Sequence, residues 1–163
     1  MSTIAPTPSA ASAAKQLTFR LGEEHFGIRV LKVREIIRMC EITSLPQLPM
    51  HVRGVINLRG KVIPVVDLRS KFGLFPVKTD ESTCIIVAHV EGGSGKTVPT
   101  GIIVDAVDEV LPVPADCVEP PPQFGHAVDT ACIDGMAKLK GKVITLLNID
   151  RMLGAVPATM DLF

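Results

Sequence analysis

Gly54-Val-Ile-Asn-Leu-Arg-Gly-Lys-Val-Ile-Pro-Val-Val-Asp-Leu-Arg-Ser-Lys-Phe-Gly73 decides the fold, because the chain contains this stretch twice. It returns 81 residues on as Gly135-Met-Ala-Lys-Leu-Lys-Gly-Lys-Val-Ile-Thr-Leu-Leu-Asn-Ile-Asp-Arg-Met-Leu-Gly154, with seven of twenty positions identical. Ordinary residue usage would match roughly one or two. Upstream, Phe26-Gly-Ile-Arg-Val-Leu-Lys-Val-Arg-Glu-Ile-Ile37 returns at an offset of 74 as Thr100-Gly-Ile-Ile-Val-Asp-Ala-Val-Asp-Glu-Val-Leu111, with five of twelve identical. The order A, B, A′, B′ predicts two similar lobes. Lobe one spans 16–82 and lobe two 83–155, between an N-terminal tail (1–15) and a C-terminal tail (156–163).

Each lobe reads as short strands. Leu17, Phe19 and Leu21 alternate with polar residues, the pattern of a half-buried strand. Arg59-Gly60 and Lys140-Gly141 sit between strand-like runs and predict tight hairpin turns. Ile85-Ile86-Val87 and Ile102-Ile103-Val104 are β-branched runs of strand length. Pro64 inside such a run predicts an edge strand or a bulge. Asp67 and Asn148 each precede an apolar-periodic stretch ending on glycine, the punctuation of a short capped helix. The connectors 38–53 and 112–134 are proline-bearing loops. Many short strands with Gly and Pro between them predict an all-β fold of small barrels.

Composition excludes several functions. Of 163 residues, 47% are hydrophobic and 21% charged, which excludes disorder for the bulk. With 17 basic against 17 acidic residues, no Trp and no Tyr, neither an electrostatic nor a stacking surface for nucleic acid is expected. No apolar run is long enough for a membrane span. The tail Met1–Gln16 lacks a basic start and an apolar centre, so a cytoplasmic protein without a secretory signal is expected. The neutrality hides an asymmetry. Residues 1–82 carry 12 basic against 7 acidic side chains, and the remainder 5 against 10, which predicts a basic lobe beside an acidic one.

Catalytic patterns are missing. The four cysteines lack C-x-x-C spacing and are expected as buried thiols. His25, His51, His89 and His126 stand apart, so no metal site is expected. Gly92-Gly-Ser-Gly-Lys-Thr97 imitates a phosphate loop, but Val90 replaces the required glycine and a strand-like run follows instead of a helix. A mobile hairpin loop is the expected reading, with nucleotide binding there as the rival. No pattern calls for a cofactor or a catalytic residue. The copies differ at the turn, where only Arg59 offers a bidentate fork for a carboxylate.

Gly54-Val-Ile-Asn-Leu-Arg-Gly60 followed by Val62-Ile-Pro-Val-Val-Asp-Leu-Arg69 resembles the CheW family of bacterial chemotaxis coupling proteins. The likeness takes in Phe26-Gly-Ile, Leu31-Lys-Val-Arg-Glu-Ile36, Ile42-Thr-Ser-Leu-Pro46, Gly101-Ile-Ile-Val-Asp-Ala-Val107 and Leu146-Leu-Asn-Ile149. It implies two five-stranded SH3-like β-barrels with short connecting helices. It implies a non-catalytic adaptor joining the cytoplasmic tips of methyl-accepting chemoreceptors to the regulatory domain of a CheA-type histidine kinase. Such an adaptor is recruited to receptor clusters at the inner membrane without inserting into it. Adaptors of twitching or gliding pathways share these motifs. The resemblance implies receptor contact at Val33, Glu35, Ile36, Asn57, Leu58 and Arg59, in a groove between the barrels. It implies kinase contact at Glu119 and Phe124, and on the outer face of lobe one. Arg59 would pair with Glu35 or with a receptor carboxylate.

Overall fold

The computed structural model describes residues 14–48, 51–74, 79–91, 95–121 and 132–153. Strands β1 (Ala14–Leu21) and β2 (Glu24–Arg29) form a hairpin. After a 3₁₀ turn at Val30–Lys32 come β3 (Val33–Arg38), β4 (Val52–Leu58), β5 (Lys61–Asp67) and helix α1 (Leu68–Lys71). The second half repeats the plan with β6 (Cys84–Glu91), β7 (Thr97–Val104), β8 (Ala106–Val113), β9 (Val118–Glu119), β10 (Ile133–Leu139), β11 (Lys142–Leu147) and helix α2 (Ile149–Leu153).

Two sheets result, ordered β8-β1-β2-β11-β10-β9 and β3-β6-β7-β5-β4. Repeat-equivalent strands hold equivalent places, and the two-residue β9 is the addition. The parallel registers prove the alignment: Val65 stands opposite Gly101, and Leu146 opposite Gly27. These pairs differ by the same 81 and 74 residues as the sequence repeats.

The sheets do not divide the chain at residue 82. Hairpin β1–β2 leaves the first half and pairs with β8 and β11, while β6–β7 pairs with β3 and β5. Each barrel therefore takes a hairpin from one repeat and its remaining strands, four in the first sheet and three in the second, from the other. This exchange removes the expected basic and acidic barrels. The strands of the first sheet carry five basic and five acidic residues, and those of the second four and three.

Three apolar clusters explain the arrangement. Phe19, Phe26, Ile86, Ile102, Leu147 and Leu153 belong to a central core drawn from both sheets. Phe26 stacks between Phe19 and Phe72 at centroid distances of 5.8 and 5.3 Å. Ile56, Ile63, Val65, Ile85, Val87 and Ile103 fill the second barrel alone. Strands β6 and β7 thus bury both faces, which is why their β-branched runs are continuous. Strand β1 is likewise covered on both sides. Gln16 and Thr18 are buried, and Thr18 Oγ1 donates to the Glu109 carbonyl at 2.8 Å. The expected half-buried alternation fails because β1 turns one face to the central core and the other to its own barrel.

Other expectations need correction. Strand β5 is an inner strand, without a bulge at Pro64; β7 pairs only with Val65–Asp67, so Pro64 has β4 alone beside it. Pro112 lies within β8, tolerated because β8 is a sheet edge. Cys40 is exposed and Cys84, Cys117 and Cys132 are half-buried, so none is a fully buried thiol.

The punctuation holds. Both residues of Arg59-Gly60 and of Lys140-Gly141 have positive φ, as a type I′ hairpin turn requires. Asp67 accepts a hydrogen bond from the Arg69 amide, and Asn148 one from the Arg151 amide, at the starts of α1 and α2. Gly54 lets the β3–β4 connector touch β4: a Cβ there would lie 2.1 Å from the Thr43 carbonyl oxygen. At the equivalent Gly135 it would lie 2.4 Å from Val118 Cγ1.

Candidate functional site

Strands β3 and β4 are opposite edges of one sheet, and a side-chain bridge spans them. Arg59, in the turn after β4, reaches Glu35 on β3. Its Nη1 donates to Glu35 Oε1 at 3.1 Å, and its Nη2 donates to Oε2. A bidentate guanidinium–carboxylate fork thus closes the second barrel. The hydrogen bond from Arg59 is the chief cause holding the Glu35 carboxyl below its usual range, and the same bond raises the guanidinium. The first barrel closes at the equivalent place, where Lys140 Nζ donates to Glu109 Oε1 at 3.1 Å. A lysine gives one contact where arginine gives two, as the difference between the turns predicts.

The other expected receptor residues divide around this seam. Asn57 Oδ1 accepts from the Gly60 amide at 2.9 Å, so its side chain braces the turn that presents Arg59. Leu58 is half-buried and packs on the second barrel's own core. Val33 is half-buried against the central core instead. Alternation along β3 turns Ile36 away from Glu35, and Ile36 is 45% exposed. The structure therefore joins Glu35, Asn57, Leu58 and Arg59 in one cluster, sets Ile36 on the neighbouring face, and draws Val33 inward. Glu119 lies on the edge strand β9, 3.5 Å from Lys138 and well exposed. Phe124 lies outside the described residues.

Sequence reasoning missed two neighbours. Arg34 and Lys61 flank Arg59 around a depression floored by Leu58 and Ile63. Val62 belongs to an unbroken apolar run but is 50% exposed, on the face of β5 opposite Lys61 and Ile63. The signal was in the repeat. Its partner Val143 is exposed as well, as is Val110, the partner of Ile36.

Residues 15–156 match the family model for the CheW-like domain. The chain belongs to the CheW-like family. It is 37% identical over 139 residues to the chemotaxis protein CheW of Klebsiella aerogenes, covering 85% of this chain and 81% of that one. Against the CheW of Rhizobium meliloti the identity is 33% over 147 residues, covering 85% and 92%. The crystal structure of the scaffolding protein CheW from Thermoanaerobacter tengcongensis superposes with a TM-score of 0.76 and 34% identity, covering 94% of this chain and 92% of that chain. The two closed sheets are accordingly the double SH3-like barrel of this family, and the protein is a CheW-type adaptor of chemosensory signalling. Among the described residues no helix is long and apolar enough to cross a membrane. No group of three or more His, Cys, Asp or Glu is placed among them to hold a metal ion.

Proposed function

We propose that this chain couples chemoreceptors to a CheA-type histidine kinase without catalysis, as a cytoplasmic protein recruited to receptor clusters. Residues 16–155 form the adaptor, and the terminal segments lie outside it. The receptor tip contacts the second barrel at Glu35, Ile36, Asn57, Leu58 and Arg59, with Val33 supporting β3 from the core side. The kinase regulatory domain contacts Glu119 and Phe124, and the outer face of lobe one. The observation carrying this reading is the closed seam: a braced type I′ turn holds an exposed arginine in a fork beside the exposed Ile36. Such a rigid, charge-assisted and partly apolar patch suits a helical hairpin docking by shape.

The test is Arg59→Ala in a pull-down with receptor cytoplasmic fragments, with and without kinase. Receptor capture is expected to fall severalfold, with a native circular dichroism spectrum and unchanged kinase capture. Unchanged receptor binding removes Arg59 from the contact. A collapsed spectrum makes the fork a structural element only.

A further inference from the structure

The two barrels carry depressions at repeat-equivalent places, and these differ in size and in charge. In the second barrel the depression is rimmed by Arg34, Arg59 and Lys61 over Leu58 and Ile63. In the first, the positions of these five are taken by Asp108, Lys140, Lys142, Leu139 and Ile144. The floor is conserved between the copies and the turn cation is kept. The substitution that matters is Arg34 against Asp108.

In the first barrel Asp108 is satisfied from within. Arg20 Nε lies 3.2 Å away and His25 Nδ1 3.5 Å away, and Glu109 takes Lys140. In the second barrel the balance is open. Three cations line the depression, and Glu35, the carboxylate beside two of them, is held by Arg59 through both oxygens. Arg34 Nε reaches Glu35 only at 3.9 Å. Among the described residues no carboxylate lies within ion-pair distance of Lys61, which is exposed. The fold does not require a cation at Arg34, since the other barrel closes with Asp108 in its place.

We propose that this depression takes an acidic side chain, flanked by an apolar one, from a protein partner. The inference rests on the adaptor reading above and names the chemistry of its receptor contact. The carboxylate sits between Arg34 and Lys61, and the apolar neighbour packs onto Leu58 and Ile63. The surplus positive charge supplies the complementarity, and the apolar floor favours a protein segment over a bare anion. Arg59 stays on Glu35 and shapes the rim.

The experiment uses the full chain and the purified cytoplasmic fragment of a chemoreceptor from the same genome. Arg34→Glu/Lys61→Glu is compared with the matched first-barrel change Lys142→Glu, and Arg34→Gln/Lys61→Gln serves as the milder variant. Affinity is read by titration at low and physiological salt. The reversal is expected to weaken binding about tenfold or more and to flatten the salt dependence. Lys142→Glu is expected to stay within about twofold, as a rim charge outside the contact would. Changing the contacting fragment carboxylate to Lys should restore binding to the reversed variant only. Equal losses in both barrels, or no rescue at any fragment carboxylate, overturn the proposal. So does a loss confined to phosphatidylglycerol vesicles with fragment binding intact, since the depression then serves lipid. Wild-type protein that ignores the fragment refutes the adaptor reading itself. Wild type that binds as tightly as the reversed variant refutes only the acidic-side-chain site.

Discussion

Asp105→Asn tests how the two barrels are held together. Asp105 lies between β7 and β8. It accepts the Gly22 amide at 2.6 Å, from the β1–β2 turn of the other sheet, and takes Arg69 Nε at 3.0 Å and Nη2 besides. The Arg69 side chain is 14% exposed and that of Asp105 30%. Breaking a fully buried pair costs about 3–5 kcal/mol, and an exposed pair about 0–1 kcal/mol. This pair lies between, so a loss of about 2–3 kcal/mol is expected, or about 4–10 °C in Tm. Burial pushes the Asp105 carboxyl up, but hydrogen bonds from Arg69 and Gly22 and the charges of Arg69 and Arg20 outweigh it and hold it below its ordinary value. Its stabilisation is therefore present above the unfolded pKa, about 3.9, and is lost as pH falls through the lower folded value. The gap between variant and wild type should be full at neutral pH and close in acid. The repeat supplies a control. Asp150 makes the equivalent clamp with charges reversed, taking Lys32 at 2.9 Å and the Glu91 amide at 2.8 Å. With one cationic contact instead of a fork, Asp150→Asn should cost about 1 kcal/mol. Thermal melts across pH decide the matter. Equal losses at the two clamps, or an Asp105→Asn gap that persists unchanged into acid, would refute the reasoning.

Other outcomes follow from packing. Gly54→Ala places a methyl group 2.1 Å from the Thr43 carbonyl oxygen at φ +152°. It should cost more than about 2 kcal/mol in urea titration, while Gly60→Ala, with open space around it, should cost less. Phe19→Ala, at 0% exposure in the core shared by both sheets, should cost about 3–5 kcal/mol. Its unfolding should remain a single transition by calorimetry, and two separate transitions would show that the barrels do not share one core.

Much of the fold was legible in the sequence, because a repeat imposes equivalent environments. Gly27 and Gly101 face equivalent points of their parallel partners, and Asp67 and Asn148 cap equivalent helices. The partner of each hairpin was not legible. Alternation in β1 tells that Leu17, Phe19 and Leu21 share a face, but carries nothing about which sheet receives them. Gln16 and Thr18 look like a solvent face by chemistry, yet the interior of their own barrel covers them. The candidate site was half visible. An arginine in a turn and a glutamate one strand away suggested the fork, because bidentate geometry is particular to that pair. Arg34 and Lys61 carried no such mark. A surface cation becomes noticeable only once its neighbours are known to lack an acid, and that is a property of the closed barrel.

The hairpin exchange also sets a schedule. Leu17 pairs with Val110, and Phe26 with Thr145. During synthesis β1 and β2 emerge early, but their partners in the first sheet are made only after the whole second barrel has left the ribosome. The second barrel is complete once β7 is out, whereas the hairpin that precedes it must wait with both edges open until β8 and then β11 are made. Contacts so distant along the chain make a slow final step. An unpaired strand edge during that wait is open to other nascent chains. The oldest part of each new molecule is thus the last to be enclosed.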